Sequence, residues 1–183
     1  MFRTSRRVRA TRVAAAVALT ALASTAGRAT DRPDADALVG RAAPVFTAAG
    51  LDGDSLSLAD LRGDFALLNF WGPACPPCIA ESPHLRQLHR KYAKRGLRIV
   101  GVTQMNPKRA DIEKFLRKKR ITYTIVLDPG EAIGKRYAVA AHPTSVLVGP
   151  DGIVRWVRAG YLDGDEKELE AAVVRALDEH GRP

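Results

Sequence analysis

Cysteine is scarce in this chain, with two residues among 183, both in the segment Cys75-Pro76-Pro77-Cys78. One adjacent pair cannot staple a fold, so a disulfide scaffold is excluded. No apolar run reaches the roughly 18 residues of a membrane-spanning helix, which excludes a polytopic membrane protein. Internal repeats and low-complexity tracts are missing, and with them collagen-like and coiled-coil architectures. What remains is 46% apolar and 27% charged residues, the mix of a globular protein with enough apolar material for one core.

Acidic residues are absent from residues 1–12, which carry Arg3, Arg6, Arg7, Arg9 and Arg12. An Ala/Val/Leu run follows over residues 13–23, then the small residues Ser24, Thr25, Ala26 and Gly27. A charged start, a short apolar centre and an Ala-x-Ala-like exit describe a secretory signal peptide, assigned here to residues 1–26. The alternatives are a basic arm for nucleic acid, which needs no apolar segment, and an uncleaved membrane anchor. Removing these 26 residues takes the net charge from +9 to +4, so the remainder does not argue for a nucleic-acid partner. Lys114, Arg117, Lys118, Lys119 and Arg120 fall near a predicted helix end, where cations suit the dipole; they read as a solvated face. Export places the cysteine pair where a disulfide can form.

Residues 27–43 read as a linker and residues 44–181 as the folded domain. Residues 45–48 and 55–58 are strand candidates about an Asp52-Gly53-Asp54 turn, and residues 59–62 a single helical turn. Phe65–Trp71 is an almost wholly apolar run, as expected of a strand buried on both faces, and Leu97–Thr103 is a second. Helices are expected over residues 76–94, from an Asn106-Pro107 cap, over residues 131–137, and from an Asp163/Glu166 capping box to Gly181. Strands over residues 123–127, 144–148 and 153–157 complete the order β, β, β, α, β, α, β, α, β, β, α. Such alternation implies an α/β sandwich with a mixed sheet covered on both faces.

The chemistry concentrates where the first long strand turns into a helix. Cys75 near a helix cap has exposure and a helix N-terminus to stabilise its thiolate, and Cys78 follows one turn later as a resolving thiol. Pro76 and Pro77 lack N–H groups, which leaves mainly the N–H of Cys78 and of its successor as donors to a Cys75 thiolate. Two other readings stand beside this one. His84 and His89 complete a Cys-x2-Cys-x5-His-x4-His zinc pattern, but on a helix imidazoles five apart diverge. A structural disulfide of so short a loop restricts the unfolded chain little.

Here the sequence resembles the thioredoxin superfamily, within it the redoxin branch of exported TlpA/ResA/CcmG-like thiol-disulfide oxidoreductases. Ala43-Pro44-Val45-Phe46, Leu67-Leu68-Asn69-Phe70-Trp71, Cys75-Pro76-Pro77-Cys78, Leu127-Asp128-Pro129, His142-Pro143-Thr144 and Asp151-Gly152 carry the resemblance. It implies a thioredoxin fold: a three-layer sandwich about a mixed central sheet, with an N-terminal β-hairpin extension and a βαβ insertion. It also implies Cys75 as nucleophile, Cys78 as resolving thiol, Pro143 as a cis-proline facing the disulfide, and Glu81 as an acid close to the thiols. Pro83 matches the proline that kinks the active-site helix, and Asn69 stands where thioredoxin has a buried Asp. No cofactor is implied. The implied partners are client proteins carrying disulfides and a membrane thiol reductase as electron donor.

Physical readings accompany these assignments. A cis Pro143 presents a backbone edge to an extended client, and Glu81 could relay protons to Cys78, where the bland alternative is a solvated helix charge. Replacing Glu81 by Gln is therefore expected to move thiol alkylation more than stability. Trp71, Pro76 and His142 are candidate client contacts; Trp71 is equally a core residue, and a protonated His142 would raise the redox potential. Ala74 departs from the family, which has Trp before the first cysteine. A peroxidase is disfavoured, because Leu68 and Gly72 occupy the Pro and Thr positions of the peroxiredoxin pattern. Reduction of client disulfides, as in cytochrome c maturation or metal-centre assembly, is the expected activity. An oxidase or isomerase of secreted proteins and a copper(I)-handling module remain the alternatives, the latter short of soft ligands beyond Met1 and Met105.

Overall fold

A computed structural model of the chain describes Met1 and residues 35–181. The chain divides into residues 1–31 and residues 32–183, and the second unit is described below. The expected signal peptide after Met1, and the linker up to residue 34, lie outside the described residues.

Seven consecutive buried residues, Phe65–Trp71, make strand β3 the centre of the sheet. The element order is β1 (Thr47–Ala49), β2 (Ser55–Ser57), β3, α1 (Pro76–Tyr92), β4 (Leu97–Thr103), α2 (Arg109–Lys119), β5 (Thr124–Leu127), α3 (Ala132–Arg136), β6 (Thr144–Val148), β7 (Val154–Ala159) and α4 (Asp165–Glu179). The five-stranded sheet runs β5-β4-β3-β6-β7, with β1 and β2 forming a separate hairpin. β3 is parallel to β4 and antiparallel to β6, so the sheet is mixed. Alternation along β3 sorts the two cores. Phe65, Leu67 and Trp71 pack with Leu85 and Leu88 of α1, Phe115 of α2 and Leu169 and Val173 of α4. Ala66, Leu68 and Phe70 pack with Ile133 and Tyr137 of the α3 region and with Phe46 and Leu58 of the N-terminal layer. These are the three layers of a thioredoxin fold.

Three local expectations are corrected. Helix α2 opens after Lys108, not at Asn106. Met105 and Asn106 both take left-handed φ, of 68° and 43°, and the Asn106 side chain accepts the Gly130 N–H at 3.1 Å instead of capping a helix. Helix α4 has Gly164 at its cap without a side-chain hydrogen bond there, because Asp165 and Glu166 turn back onto the N–H groups of Leu162 and Gly164. Residues 35–43, expected as linker, lie along β7: the Gly40 and Ala43 N–H groups bond the Val154 and Gly152 carbonyls, each at 2.9 Å.

Candidate functional site

β3 ends at Trp71, and four residues later Cys75 caps α1 with Pro76 and Pro77 as its first helical residues. The two cysteines form a disulfide with Cα atoms 5.2 Å apart. The Cys78 N–H points at the Cys75 sulfur at 3.3 Å, whereas the next N–H, that of Ile79, goes to the Cys75 carbonyl at 3.0 Å. Of the two donors expected for the sulfur, one reaches it. The expected exposure of Cys75 does not hold in the oxidised protein, since Cys75 is 6% and Cys78 3% exposed. The neighbours Ala74 and Pro76 are the exposed residues of the loop, so a partner must approach over them.

Beneath the disulfide lies a buried carboxyl. Glu81 is one turn beyond Cys78 on the inward face of α1 and is 3% exposed. Asn69 and Ser145 are register partners on β3 and β6, so their side chains stand side by side on the face toward α1. Asn69 Nδ2 donates to Glu81 Oε2 at 2.8 Å and Ser145 Oγ donates to Oε1 at 3.4 Å. Burial pushes the Glu81 carboxyl up to about 7, against these two hydrogen bonds, which favour its charged form. The solvated-charge reading of Glu81 is thereby removed. Ser145 escaped sequence reasoning; its signal was the strand alternation that puts it two residues after Pro143 on the core face.

The His142–Pro143 bond is cis, and the Phe70–Thr144 pairing sets Pro143 at the same end of the sheet as Cys75. Pro143 is buried, its carbonyl accepts the Gly160 N–H at 2.6 Å, and β6 is an interior strand. A client therefore cannot add to β6 as a strand, and what stands open is the loop at His142. Burial pulls the His142 imidazole below its ordinary value, opposed by the Glu131 charge, so the ring is neutral near pH 7. Trp71 is a core residue tilted against Phe115, ring centroids 4.8 Å apart, and offers no surface to a client. His84 stacks on Tyr161 while His89 meets Tyr123 edge-on, so the two imidazoles of the zinc pattern go to different rings. Among the described residues no three His, Cys, Asp or Glu side chains gather as a metal site, and no helix is long and apolar enough to cross a membrane.

Comparison with known proteins agrees with this geometry. The AhpC/TSA family model matches residues 39–157. The thiol-disulfide oxidoreductase ResA of Geobacillus thermodenitrificans is 34% identical over 128 residues, covering 70% of this chain and 73% of that protein. Among solved structures, a Chlorobium tepidum protein described as a thiol:disulfide interchange protein DsbE aligns with a TM-score of 0.72 and 32% identity, over 76% of this chain and 97% of that one. A secreted Mycobacterium tuberculosis disulfide oxidoreductase aligns with a TM-score of 0.62 and 29% identity, over 71% and 95% of the two chains.

Proposed function

The chain belongs to the AhpC/TSA family and is a thiol-disulfide oxidoreductase of thioredoxin fold, and from that premise we propose that it is an exported reductant of disulfides in client proteins, with Cys75 attacking and Cys78 resolving. The observation that carries the assignment is the Cys78 N–H directed at the Cys75 sulfur from the first turn of α1. A thiolate at Cys75 gains that donor and the helix N-terminus, whereas Cys78 lies inside the helix.

The Cys75 thiolate attacks one sulfur of the client disulfide, forming a mixed disulfide and releasing the other client sulfur as thiolate. Cys78 then loses its proton and displaces the client from Cys75, closing the Cys75–Cys78 disulfide and leaving the client as a dithiol. Two electrons pass to the client, and a membrane thiol reductase restores the dithiol by the reverse exchange. Glu81 accepts the Cys78 proton during resolution, which a carboxyl titrating near neutrality can do. Residues 1–26 address the protein out of the cytoplasm and residues 44–181 carry the activity; the secreted Mycobacterium tuberculosis relative supports this placement. Clients in cytochrome c maturation or metal-centre assembly suit a reductant in that compartment.

The direction follows from the donor count. One N–H at the sulfur, two prolines without N–H and a neutral His142 stabilise the thiolate modestly. The potential is therefore expected on the reducing side, below about −200 mV, nearer thioredoxin than DsbA. Equilibration with glutathione, read by tryptophan fluorescence, checks this, and a value above about −150 mV would make the protein an oxidant. Cys78→Ser is expected to accumulate mixed disulfides with clients and Cys75→Ala to abolish reduction. First attack retained in Cys75→Ala and lost in Cys78→Ala would reverse the assignment.

A further inference from the structure

Beside the disulfide, on the β4 side, lies a groove of about 450 Å³ lined by Ala74 and Ile79 next to Cys75, by Met105, and by Phe115 of α2. Its wall is built rather than incidental. Met105 is 51% exposed yet held in a left-handed conformation, its N–H donating to Glu131 Oε1 at 2.9 Å. Its sulfur sits so close over the loop that a Cβ on Gly72 would come within 2.9 Å of it. The rim is cationic: Lys114, Lys118 and Lys119 border the groove against the single acid Asp111, and none of the three lysines forms an ion pair among the described residues.

We propose that this groove selects clients by charge: it takes an extended segment whose apolar residue lies two or three positions from the attacked cysteine, with carboxylates beyond it on the lysines. The inference rests on Cys75 as the attacking thiol and adds what chooses its clients. Sheet order sets the spacing. Pro143 opens β6 on one side of β3, while β4, with Met105 just past its end and α2 after it, lies on the other. Neighbouring strands are about 4.8 Å apart and an extended chain advances about 3.3 Å per residue. A client cysteine over Cys75 therefore brings its second or third neighbour above the groove, about 5–10 Å away. Ala74 leaves this entrance open, as no bulky side chain stands before Cys75.

The test uses the reduced full chain and two synthetic peptides, each with one cysteine carried as a mixed disulfide with 2-mercaptoethanol. Both have Leu three positions to either side of the cysteine, flanked by Glu-Glu in one and Lys-Lys in the other. In single turnover, which converts one Cys75/Cys78 dithiol to its disulfide for each peptide reduced, the Glu peptide is expected to react with a second-order rate constant five- to tenfold higher at low salt, the difference shrinking toward parity at about 0.5 M salt as the charges are screened. Lys118→Glu/Lys119→Glu is expected to invert the order, and Lys118→Gln/Lys119→Gln to abolish the preference. Equal rates for the two peptides, or a preference that survives charge reversal, would overturn the inference. Uncharged hydroxyethyl disulfide separates the two levels. If the unaltered protein fails to reduce it, the thiol-exchange reading falls; if it reduces it but does not discriminate between the peptides, only the groove inference falls.

Discussion

The Glu81 carboxyl lies between the Asn69 amide, which donates to it at 2.8 Å, and the Ser145 hydroxyl, which donates at 3.4 Å. A solvated glutamate would affect thiol chemistry without touching stability, but this one is buried with its carboxyl raised to about 7 in the oxidised protein. A folded value above the unfolded 4.5 means that the folded state holds the proton more tightly. Stability is then highest below the unfolded value and falls as pH rises through about 7. The difference amounts to about 3 kcal/mol at full ionisation. Glu81→Gln is expected to remove this slope, so that the variant gains on the parent by up to about 3 kcal/mol between pH 5 and pH 8 in urea melts of the oxidised proteins. In the reduced protein, loss of a carboxylate one turn from Cys78 should move the alkylation profile to lower pH. A melt difference independent of pH would show that the folded carboxyl titrates at its unfolded value, as a solvated group does.

Among elements, the β3–β4 pair depends on a missing side chain. Gly101 is the β4 partner of Asn69, and a Cβ there would meet Ile125 Cδ1 at 2.6 Å and Trp71 Nε1 at 2.8 Å. Trp71 needs that space to lie against Phe115, and its position carries the loop that delivers Cys75 to the start of α1. Gly101→Ala is expected to cost about 1–3 kcal/mol by overpacking. The measurement is a urea melt paired with the rate of disulfide reduction. Trp71 cannot shift without moving the loop, so both should fall, and a loss of stability alone would show that the loop is held elsewhere.

At the level of the whole molecule, each edge of the sheet is bridged by a segment from the N-terminal part of the domain, which blunts edge-to-edge pairing there. The β1–β2 hairpin guards β5 through the Leu51 N–H to Ile125 carbonyl bond at 2.9 Å, and residues 40–43 guard β7. The second cover depends on a stretch whose polar, alanine-rich composition gives no periodic signal. Starting the chain at Pro44 removes three hydrogen bonds to residues 152–154. The expected loss is about 3 kcal/mol, at about 1 kcal/mol per bond, or about 6–12 °C in Tm for a protein of this size. Thermal melts with light scattering check it, and an unchanged Tm without aggregation would mean that the segment only decorates the edge.

Two local signals were sufficient to read most of this protein. Predominantly apolar runs marked β3 and β4 residue for residue, and the polar residues inside them, Asn69, Arg98 and Thr103, are all hydrogen-bonded, as a largely buried strand requires. Cys-Pro-Pro-Cys at a strand-to-helix junction marked the place where the disulfide forms, because cap position and missing N–H groups are properties of consecutive residues. Asn106-Pro107 misled for the same reason: a cap is local chemistry, and here a distant loop, through the Gly130 N–H, took the asparagine. Only the tertiary structure decided that Glu81 is buried between Asn69 and Ser145, that Trp71 faces the core, that Cys75 is nearly covered, and that the lysines of α2 border the entrance beside it. Each of these depends on strands and helices distant in sequence, whose juxtaposition is set by sheet order and register and by no spacing along the chain.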